Sequence, residues 1–574
     1  MKLSLLLLLF ITASLFISRG SADSNQSRTD WDKLVDEFFE RYFKLHPTFA
    51  TSTGFHQYDS ELDDYSRQGV DTEIGLTTEY LQRFEKVESS ALSAEQQQDR
   101  QLIVSGLNST LLELQSIRSW EKNPDRYSSG ITQSAFGIMS RKFAPPDQRL
   151  RSLTDREKKM PAVFTAARAN LKNPPRIYTE VAIQQIPGLI AFFQKDVPEA
   201  FGEVKDDKLK AEFHQSNAAV ISALQDYEKF LKDELLPISK GDFRIGAENY
   251  QKKLAFDEMV DIPLDRLLQI GYDDLHRNQE WFKNIAAQID SKKTPKQILD
   301  ELQQDHPRAE QLLQSFRDDL GGIRQYIVDK HIVTIPSPVP PIVQETPPFA
   351  RALTFASMDT PGPYEEVAKE AFFNVTLPES TWSKEKTDSF LGQFNRNTMV
   401  SVAIHEVYPG HYVQFLWVPS APSTVRKLLG CGSNAEGWAH YAEQMMLDEG
   451  YGNGDPKLRL GQLQDALLRD ARYIAGISMH TGKMTFEQSV EFFQKEGYQP
   501  QSVAEVETKR GTSDPTYLVY TLGKLQIMKL RQDYKQKMGA NFNLQQFHDT
   551  FLQQGFPPIK IVRETMLGNN SPVL

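Results

Sequence analysis

The sequence predicts a mainly α-helical protein with one small β element, and three observations support this prediction. Apolar residues recur at helical spacing in several stretches, for example Leu76–Val87 and Ala211–Leu235. Throughout Asp71–Asp329 the chain is polar, and few glycines interrupt it. Strand-like composition occurs later, in the short stretches Arg351–Ser357 and Ala371–Leu377.

The N-terminus has the pattern of a secretory signal peptide at residues 1–22. Lys2 precedes an apolar run from Leu3 to Ile17, and Gly20-Ser21-Ala22 offers a small-residue cleavage site. An uncleaved membrane anchor is the alternative. No later stretch is apolar for long enough to cross a bilayer. We therefore expect a secreted or periplasmic protein without stable membrane insertion after cleavage.

Composition and charge exclude several classes of partner and site. Of the 574 residues, 40% are hydrophobic and 25% are charged, as in soluble globular proteins. Loss of Lys2 and Arg19 with the signal peptide removes two positive charges, so the formal net charge of −11 becomes −13. A chain this acidic is not expected to bind nucleic acid or anionic lipid. Because Cys431 is the only cysteine, an intrachain disulfide and a thiolate zinc site are both excluded.

The chain is expected to divide at a proline-rich segment. Asp30 can cap a first helix, whose apolar stripe ends before Pro47. The prolines that follow Ile335 cannot be helical. We expect an N-terminal helical region at residues 23–335 and a C-terminal region at residues 336–574, packed as one compact body. The strands after the prolines form either an exposed edge that an extended peptide could pair with or a small structural hairpin.

One short segment carries two histidines and a glutamate, His405, Glu406 and His411. It is similar to the His-Glu-x-x-His helix of zinc metallopeptidases, in which two imidazoles bind the metal and the glutamate acts on water. Here the histidines are six residues apart, a step that puts them on different faces of a regular helix. Pro409-Gly410 lies between them, so we expect the helix to break at Tyr408–Gly410 and return the second histidine toward the first. Alternatively, the helix ends at a Pro-Gly corner and both histidines lie at the surface.

A third ligand is needed, because a catalytic zinc site usually has three protein ligands. The next carboxylate on a predicted helix is Glu436, near the start of Asn434–Asp448. We rank Glu436 as the third ligand and His440 or Glu443, on the same helix face, as groups that orient the ligands. The alternative for Glu436 is an exposed first-turn carboxylate that the helix dipole favours.

Four side chains are candidates for moving a proton or stabilising a developing oxyanion. Glu406 is the candidate general base. Tyr517 and Tyr520 lie one turn apart in a helix predicted at Pro515–Lys537, and His480 lies at the end of the preceding predicted helix. Each of these three could donate a hydrogen bond to the oxyanion. A role in the core or at the surface is the alternative for each of them.

Motifs in five parts of the chain occur together. They are Pro47, Ala50-Thr51, Gly54, His56 and Tyr58-Asp59; His405-Glu406, Tyr408-Pro409-Gly410-His411 and Gln414; Glu436-Gly437-Trp438-Ala439 and Tyr441-Ala442-Glu443; Arg472 and His480; and Tyr520, Gly523 and Arg531. Together they resemble the family of domain of unknown function 885 (DUF885), whose members are predicted zinc peptidases. The resemblance extends over nearly the whole mature chain, and the second and third motifs are the most specific.

The resemblance implies a large helical, zincin-like body with a deep groove and a glutamate-type zinc site. It implies that the two histidines and Glu436 are the metal ligands and that Glu406 is the base. The sequence departs from the family pattern at Gly476, where an aspartate is expected four residues before His480. This departure removes the expected carboxylate partner of that histidine.

These observations predict a secreted zinc-dependent peptidase with one zinc ion per chain and peptides as substrates. Two alternatives remain open. A zinc hydrolase could act on non-peptide amides or esters, and a non-catalytic secreted protein could use a zincin-like fold for binding. The joint presence of His405, Glu406, His411 and Glu436 counts against a decayed site.

Overall fold

The computed structural model describes residues 29–347, 351 and 354–574. Within these residues the chain is mainly helical and has one small sheet, so the predicted fold class is confirmed at this level. The predicted signal peptide lies outside the described residues. None of the described helices is long and apolar enough to span a lipid bilayer.

Thr29 rather than Asp30 caps the first helix, which corrects the expectation from the sequence. The Thr29 hydroxyl accepts a hydrogen bond from the Asp32 amide, and the Asp32 carboxylate accepts one from the Thr29 amide. This reciprocal pair satisfies two of the amides that a helix start leaves free. The first group of helices comprises α1 Asp30–Leu45, α2 Pro47–Thr53, α3 Arg67–Glu85 and α4 Ala94–Leu111.

A second group of helices packs around its own apolar cluster. The stripe predicted at Ala211–Leu235 is one of these helices together with a π-helical segment that continues it, Leu231–Leu235. The helices of this group are α5 Asp125–Ser140, α6 Pro146–Glu157, α7 Met160–Asn170, α8 Arg176–Ala191, α9 Val197–Ala200, α10 Asp207–Phe230 and α11 Leu236–Ile238. Similar π-helical segments follow α4 and α8 at Leu112–Ile117 and Phe192–Asp196.

Four helices lead to the proline-rich segment, and a small sheet follows it. The helices are α12 Gly246–Asp257, α13 Leu264–Ile289, α14 Pro295–Leu302 and α15 Leu312–Asp329. The strands are β1 Ile342–Glu345, β2 Ala356–Asp359 and β3 Phe372–Val375. The sheet has the order β1-β3-β2, with β3 parallel to β1 and antiparallel to β2. The strand predicted at Arg351–Ser357 therefore starts later, at Ala356, and residues 352 and 353 lie outside the described part.

The C-terminal region is a set of helices that differs from the prediction at two points. The helix predicted at Pro515–Lys537 begins only at Val519, so Tyr517 lies in the turn before it. The single helix predicted from Lys384 to the break is two helices. Gly392–Phe394 forms a 3₁₀ turn between them, and the Asn395 side chain caps the second helix. The helices are α16 Lys384–Leu391, α17 Arg396–Glu406, α18 His411–Trp417, α19 Thr424–Leu428, α20 Gly432–Asp448, α21 Pro456–His480, α22 Phe486–Lys495, α23 Gln501–Ser513, α24 Val519–Met538, α25 Leu544–Leu552 and α26 Ile559–Leu567.

Apolar clusters join the two predicted regions of the chain. The cluster of α1–α4 also contains Val425 and Ile561 from the C-terminal region. Another cluster combines Leu275 of α13 with Leu463 of α21. A third holds α15, the sheet, α17, α20 and α24 around buried residues such as Trp438. Burial of this apolar surface is the main stabilising contribution, and it fixes the helices that carry the candidate site.

Candidate metal centre

The helix breaks where the sequence predicts. α17 ends at Glu406, α18 begins at His411, and the Tyr408–Pro409 peptide bond between them is cis. Gly410 allows the chain to pass close to the end of α17, because a Cβ at this position would lie 1.8 Å from the His405 carbonyl oxygen. The Gly410 amide donates a hydrogen bond to a carbonyl of α17 at 3.0 Å. The break therefore requires a glycine.

Helix α20 holds both sides of the break. Nε1 of Trp438 donates a hydrogen bond to the Pro409 carbonyl oxygen at 2.9 Å. On α18, Nε2 of Gln414 donates to Oδ1 of Asn434 at 2.8 Å. All four residues are buried, so solvent does not compete for these bonds. Trp438 and Gln414 both belong to the motifs noted in the sequence, and the structure gives each a positional role.

The two histidines and Glu436 converge on one point. Nε2 of His405 and Nε2 of His411 each lie 3.3 Å from Oε2 of Glu436. The two imidazole rings are 4.8 Å apart and nearly perpendicular, at 86°. The ligand atoms of the three residues all lie within 4.8 Å of one another. No other group of three or more histidine, cysteine, aspartate or glutamate side chains in the described residues could hold a metal ion.

The unsatisfied state of Glu436 indicates that this cluster fits a cation. Its Oε2 atom is buried and has no hydrogen-bond partner among the described residues, although two imidazole nitrogens face it. A buried carboxylate oxygen without a partner costs free energy. A cation between the three ligand atoms would remove that cost. Two imidazoles and one carboxylate are also the donor set of a known class of catalytic zinc site.

Glu443 orients His405 from the other side. Its Oε1 atom lies 2.6 Å from Nδ1 of His405 and 3.0 Å from Nη2 of Arg469. Its Oε2 atom lies 3.1 Å from Nδ1 of His440. When Nδ1 of His405 donates to this carboxylate, Nε2 is left as the atom directed at Glu436. Of the two orienting residues named from the sequence, Glu443 contacts the candidate ligand and His440 contacts Glu443.

The charged side chains buried around His405 and Glu443 compensate one another. Burial alone would lower the pKa of His405, but the carboxylates of Glu436 and Glu443 raise it to about 9. Burial alone would raise the pKa of Glu443, but Arg469, His440 and His405 lower it. Glu443 therefore remains an anion that accepts from three cationic or polar neighbours.

Glu406 and Tyr520 lie beside the cluster. Glu406 is the last residue of α17 and follows His405 directly; its side chain forms no hydrogen bond or ion pair within the described part of the chain. The Tyr520 ring is stacked against the His405 ring, with centroids 6.3 Å apart and planes at 21°. The Tyr520 hydroxyl accepts a hydrogen bond from Nη2 of Arg510 at 3.2 Å. Its own proton has no acceptor among the residues that the structure describes.

Two glycines allow α24 to bring Tyr520 to this position. A Cβ at Gly437 of α20 would lie 2.4 Å from Cα of Gly523, and a Cβ at Gly523 of α24 would lie 1.8 Å from the Ser433 carbonyl oxygen. The two helices therefore pack with their backbones in direct contact. Tyr520 lies one turn before Gly523, so this close crossing places it on the side of α24 that faces Glu436.

His480 does not lie at the cluster, which corrects its assignment as a catalytic donor. Its Nε2 atom is 2.8 Å from the Gly511 carbonyl oxygen, and its Nδ1 atom accepts from the Ile245 amide at 3.4 Å. Burial lowers its pKa to about 4. It ends α21, eleven residues beyond Arg469, which corresponds to about 16 Å along the helix. His480 joins the start of α12 to the end of α23.

Tyr517 also has the core position that was its alternative. A Cβ at Gly511 would lie 2.3 Å from the Tyr517 hydroxyl oxygen, and a Cβ at Gly476 would lie 2.9 Å from its Cε1 atom. The side chain belongs to an apolar cluster with Ala475 and Phe493. Gly476, where the family pattern has an aspartate, is therefore the surface on which this tyrosine ring packs. Within the described part of the chain, Tyr517 forms no hydrogen bond or ring contact with His405, His411 or Glu436.

A family model described as "Bacterial protein of unknown function (DUF885)" matches residues 47–566. The chain belongs to the DUF885 family. Two solved structures, each of a "putative lipoprotein", are similar to this DUF885 protein. The Shewanella oneidensis protein, of unknown function, is 29% identical to this chain and gives a TM-score of 0.78. The match covers 94% of this chain and 100% of the Shewanella chain. That from Colwellia psychrerythraea has 18% identity and a TM-score of 0.78, with 94% and 98% coverage, and shows the fold alone. The search of curated proteins returned no match.

Sequence reasoning missed the arginines around the cluster. Arg469 contacts Glu443, and Arg510 contacts Tyr520. Arg469 lies one turn before the motif residue Arg472 on α21, and this spacing was a signal that could have identified it. The predicted deep groove stays a prediction. A cavity of about 280 Å³ is lined by residues of the N-terminal region, and none of them belongs to the metal cluster.

Proposed function

We propose that this DUF885 protein is a zinc-dependent peptidase that acts outside the cytoplasm. The observation that carries the proposal is the convergence of His405, His411 and Glu436 on one point, and Glu406 follows His405 at the end of the same helix. Three such ligands leave a coordination position open for water or substrate, as catalytic zinc sites do. The extracytoplasmic location is supported by the expected signal peptide and by similarity to the Shewanella lipoprotein.

Each residue near the cluster has a distinct task in this proposal. Zinc held by the three ligands would supply Lewis acidity toward a substrate carbonyl and toward water. Glu406 accepts a proton from the attacking water and then passes it to the departing amine nitrogen. Glu443 keeps His405 in the tautomer that presents Nε2. Tyr520, whose hydroxyl proton is unused, donates a hydrogen bond to the oxygen on which negative charge develops.

The position of the sheet favours a peptide over other amides or esters. β2 is an edge strand, because the strand order is β1-β3-β2. It packs against α17, the helix that carries His405 and Glu406. An extended peptide can add to such an edge through backbone hydrogen bonds, which place its scissile bond at a fixed distance from the helix. Small esters and non-peptide amides have no extended backbone that could use this edge.

The test compares Glu406→Gln with the wild type on a peptide library, with zinc content measured in both. Glu406→Gln should keep zinc and fold and lose roughly 10²–10⁴-fold in rate, the usual contribution of general acid–base catalysis. Glu436→Gln should instead weaken zinc binding. Glu449→Gln, at the end of α20 and paired with Arg531, is the control and should change neither.

Three outcomes would contradict the proposal. If Glu406→Gln cleaves peptides at the wild-type rate with zinc bound, Glu406 is not the general base. Hydrolysis of esters or non-peptide amides without peptide cleavage would make the protein a different zinc hydrolase. A stoichiometric zinc content in a His405→Ala, His411→Ala double variant would refute the ligand set.

A further inference from the structure

Three guanidinium groups surround the Tyr520 ring beside the metal cluster. The Cζ atom of Arg472 lies 4.9 Å from the ring centre, that of Arg469 lies 5.6 Å away, and that of Arg510 lies 5.8 Å away. Cations at these distances interact favourably with an aromatic face. The same ring is also stacked against the imidazole of His405. Nη2 of Arg469 also lies 3.3 Å from Nδ1 of His405, so this group of cations directly adjoins the candidate metal ligands.

Acidic partners neutralise these arginines but leave donors over. Glu507 accepts from Nε and Nη2 of Arg472 at 2.7 and 2.8 Å. Asp514 accepts from Nε and Nη2 of Arg510 at 3.3 and 3.2 Å. Arg469 is paired with Glu443 at 3.0 Å. Nη1 of Arg472 and Nη1 of Arg510 form no hydrogen bond with any residue that the structure describes.

The unused donors occur on side chains that are held in place. The Arg472 side chain is only 10% exposed, and its bidentate pair with Glu507 fixes the plane of the guanidinium group. The Arg510 side chain is 39% exposed, so this second guanidinium is open to solvent. The free Nη1 group of each arginine is oriented before binding and can donate a charge-assisted hydrogen bond to a carboxylate.

We propose that Arg472 and Arg510 bind the C-terminal carboxylate of the peptide substrate, so that the protein removes a short fragment from the C-terminus of its substrates. This inference rests on the proposed peptidase function and names its substrate class. Hydrolysis adds one water across one peptide bond: the hydroxyl completes the new carboxyl end, and the proton completes the amine of the released fragment. The two arginines take no part in that step and determine which bond lies at the metal ligands.

The spacing limits the length of the released fragment. The Cζ atom of Arg472 lies 4.9 Å from the centre of the Tyr520 ring, and that centre lies 6.3 Å from the centre of the His405 ring. The sum of these two distances is the largest possible separation between the Cζ atom of Arg472 and the His405 ring centre. Together they correspond to at most about three residues of extended chain, at roughly 3.3–3.6 Å per residue. The released fragment is therefore an amino acid, a dipeptide or a tripeptide with a free carboxylate. A long product from the C-terminal side does not fit this distance.

A matched pair of peptides tests the inference on the zinc-loaded mature chain. The probes are acetyl-tetraalanine with a free C-terminal carboxylate and the same peptide as its C-terminal amide. Wild type should show a kcat/KM for the acid roughly 10–100-fold above that for the amide, the usual gain from a charge-assisted hydrogen bond. Arg510→Gln should reduce this ratio toward one. Lys509→Gln is the control and should keep the wild-type ratio, because this neighbouring cation on α23 forms no side-chain hydrogen bond or ion pair with any residue that the structure describes.

A second readout measures binding without turnover. Isothermal titration of both peptides into the Glu406→Gln variant should give the same preference for the acid, and adding Arg510→Gln should remove it. If wild type cleaves the acid and the amide with the same kcat/KM, the inference is overturned and the peptidase proposal stands. An equal loss with both peptides in Arg510→Gln would also overturn it, since the arginine would then only position Tyr520. Selective binding of the acid without any cleavage would retain the carboxylate site and refute the peptidase.

Discussion

Replacing Glu443 by glutamine should weaken zinc binding although Glu443 is not a candidate ligand. The carboxylate makes three buried contacts, at 2.6 Å to His405, 3.0 Å to Arg469 and 3.1 Å to His440. A glutamine amide has one oxygen acceptor, and its NH₂ group would face a donor. At least one neighbour therefore loses its acceptor, and Nδ1 of His405 is no longer held in a single tautomer.

The expected loss in zinc affinity is roughly 10–100-fold, the usual effect of removing a partner that orients a ligand, and equals about 1.4–2.7 kcal/mol. Competition with a chromogenic chelator measures it at a temperature where circular dichroism shows the variant folded. Breaking a buried ion pair also costs about 3–5 kcal/mol, so a lower Tm should accompany the change. Glu449→Gln, at the C-cap of the same helix, is the control. Wild-type zinc affinity in Glu443→Gln would refute the orienting role.

Three further changes test other parts of the structure. Gly410→Ala should lower both zinc affinity and Tm, because its Cβ would meet the backbone of α17, whereas Gly75→Ala on α3, which meets nothing within 4 Å, should lower neither. His480→Gln should lower the Tm but leave the kcat/KM of folded protein unchanged; a selective loss of kcat would restore its catalytic assignment. Burial raises the pKa of the Glu157 carboxyl group from 4.5 to about 7 in the folded state. Between pH 4.5 and pH 7, therefore, the carboxyl group is protonated in the folded state and ionised in the unfolded state. The free energy of unfolding should fall by about 3 kcal/mol as the pH rises through this range. Urea unfolding at about pH 5 and pH 8 should show a smaller pH effect in Glu157→Gln and an unchanged one in the half-buried control Glu212→Gln.

The sequence could predict that His405, His411 and Glu436 converge because the features that bring them together are local. A proline and a glycine between His405 and His411 require a break, and the geometry of a helix then limits where the chain can resume. Glu436 could be identified from the sequence for a similar reason, since it is the next carboxylate on a clearly predicted helix. The predicted helix boundaries in the C-terminal region agree with the structure except for the 3₁₀ turn before α17 and the later start of α24 at Val519. Short-range rules were sufficient for these features.

The environment of Tyr520 could not be predicted in this way. Its contact with His405 depends on the crossing of α20 and α24, which in turn depends on two glycines far apart in sequence, Gly437 and Gly523. Each glycine alone reads as a weak point in a helix. Only their contact shows that they serve close packing of two backbones. Arg510, by contrast, reaches the tyrosine hydroxyl across the short connection between α23 and α24, ten residues away in the chain.

One face of α21 shows how packing separates residues that the sequence presents alike. Arg469, Arg472, Gly476 and His480 follow one another at helical spacing, so periodicity assigns them one environment. Along the helix they meet Glu443, Glu507, the Tyr517 ring and the Gly511 carbonyl in turn. The first contact lies at the metal cluster, the second at the proposed carboxylate site, and the last two in the core. A helix rises about 1.5 Å per residue, so motif residues one to three turns apart can be too far from a common metal to share its chemistry.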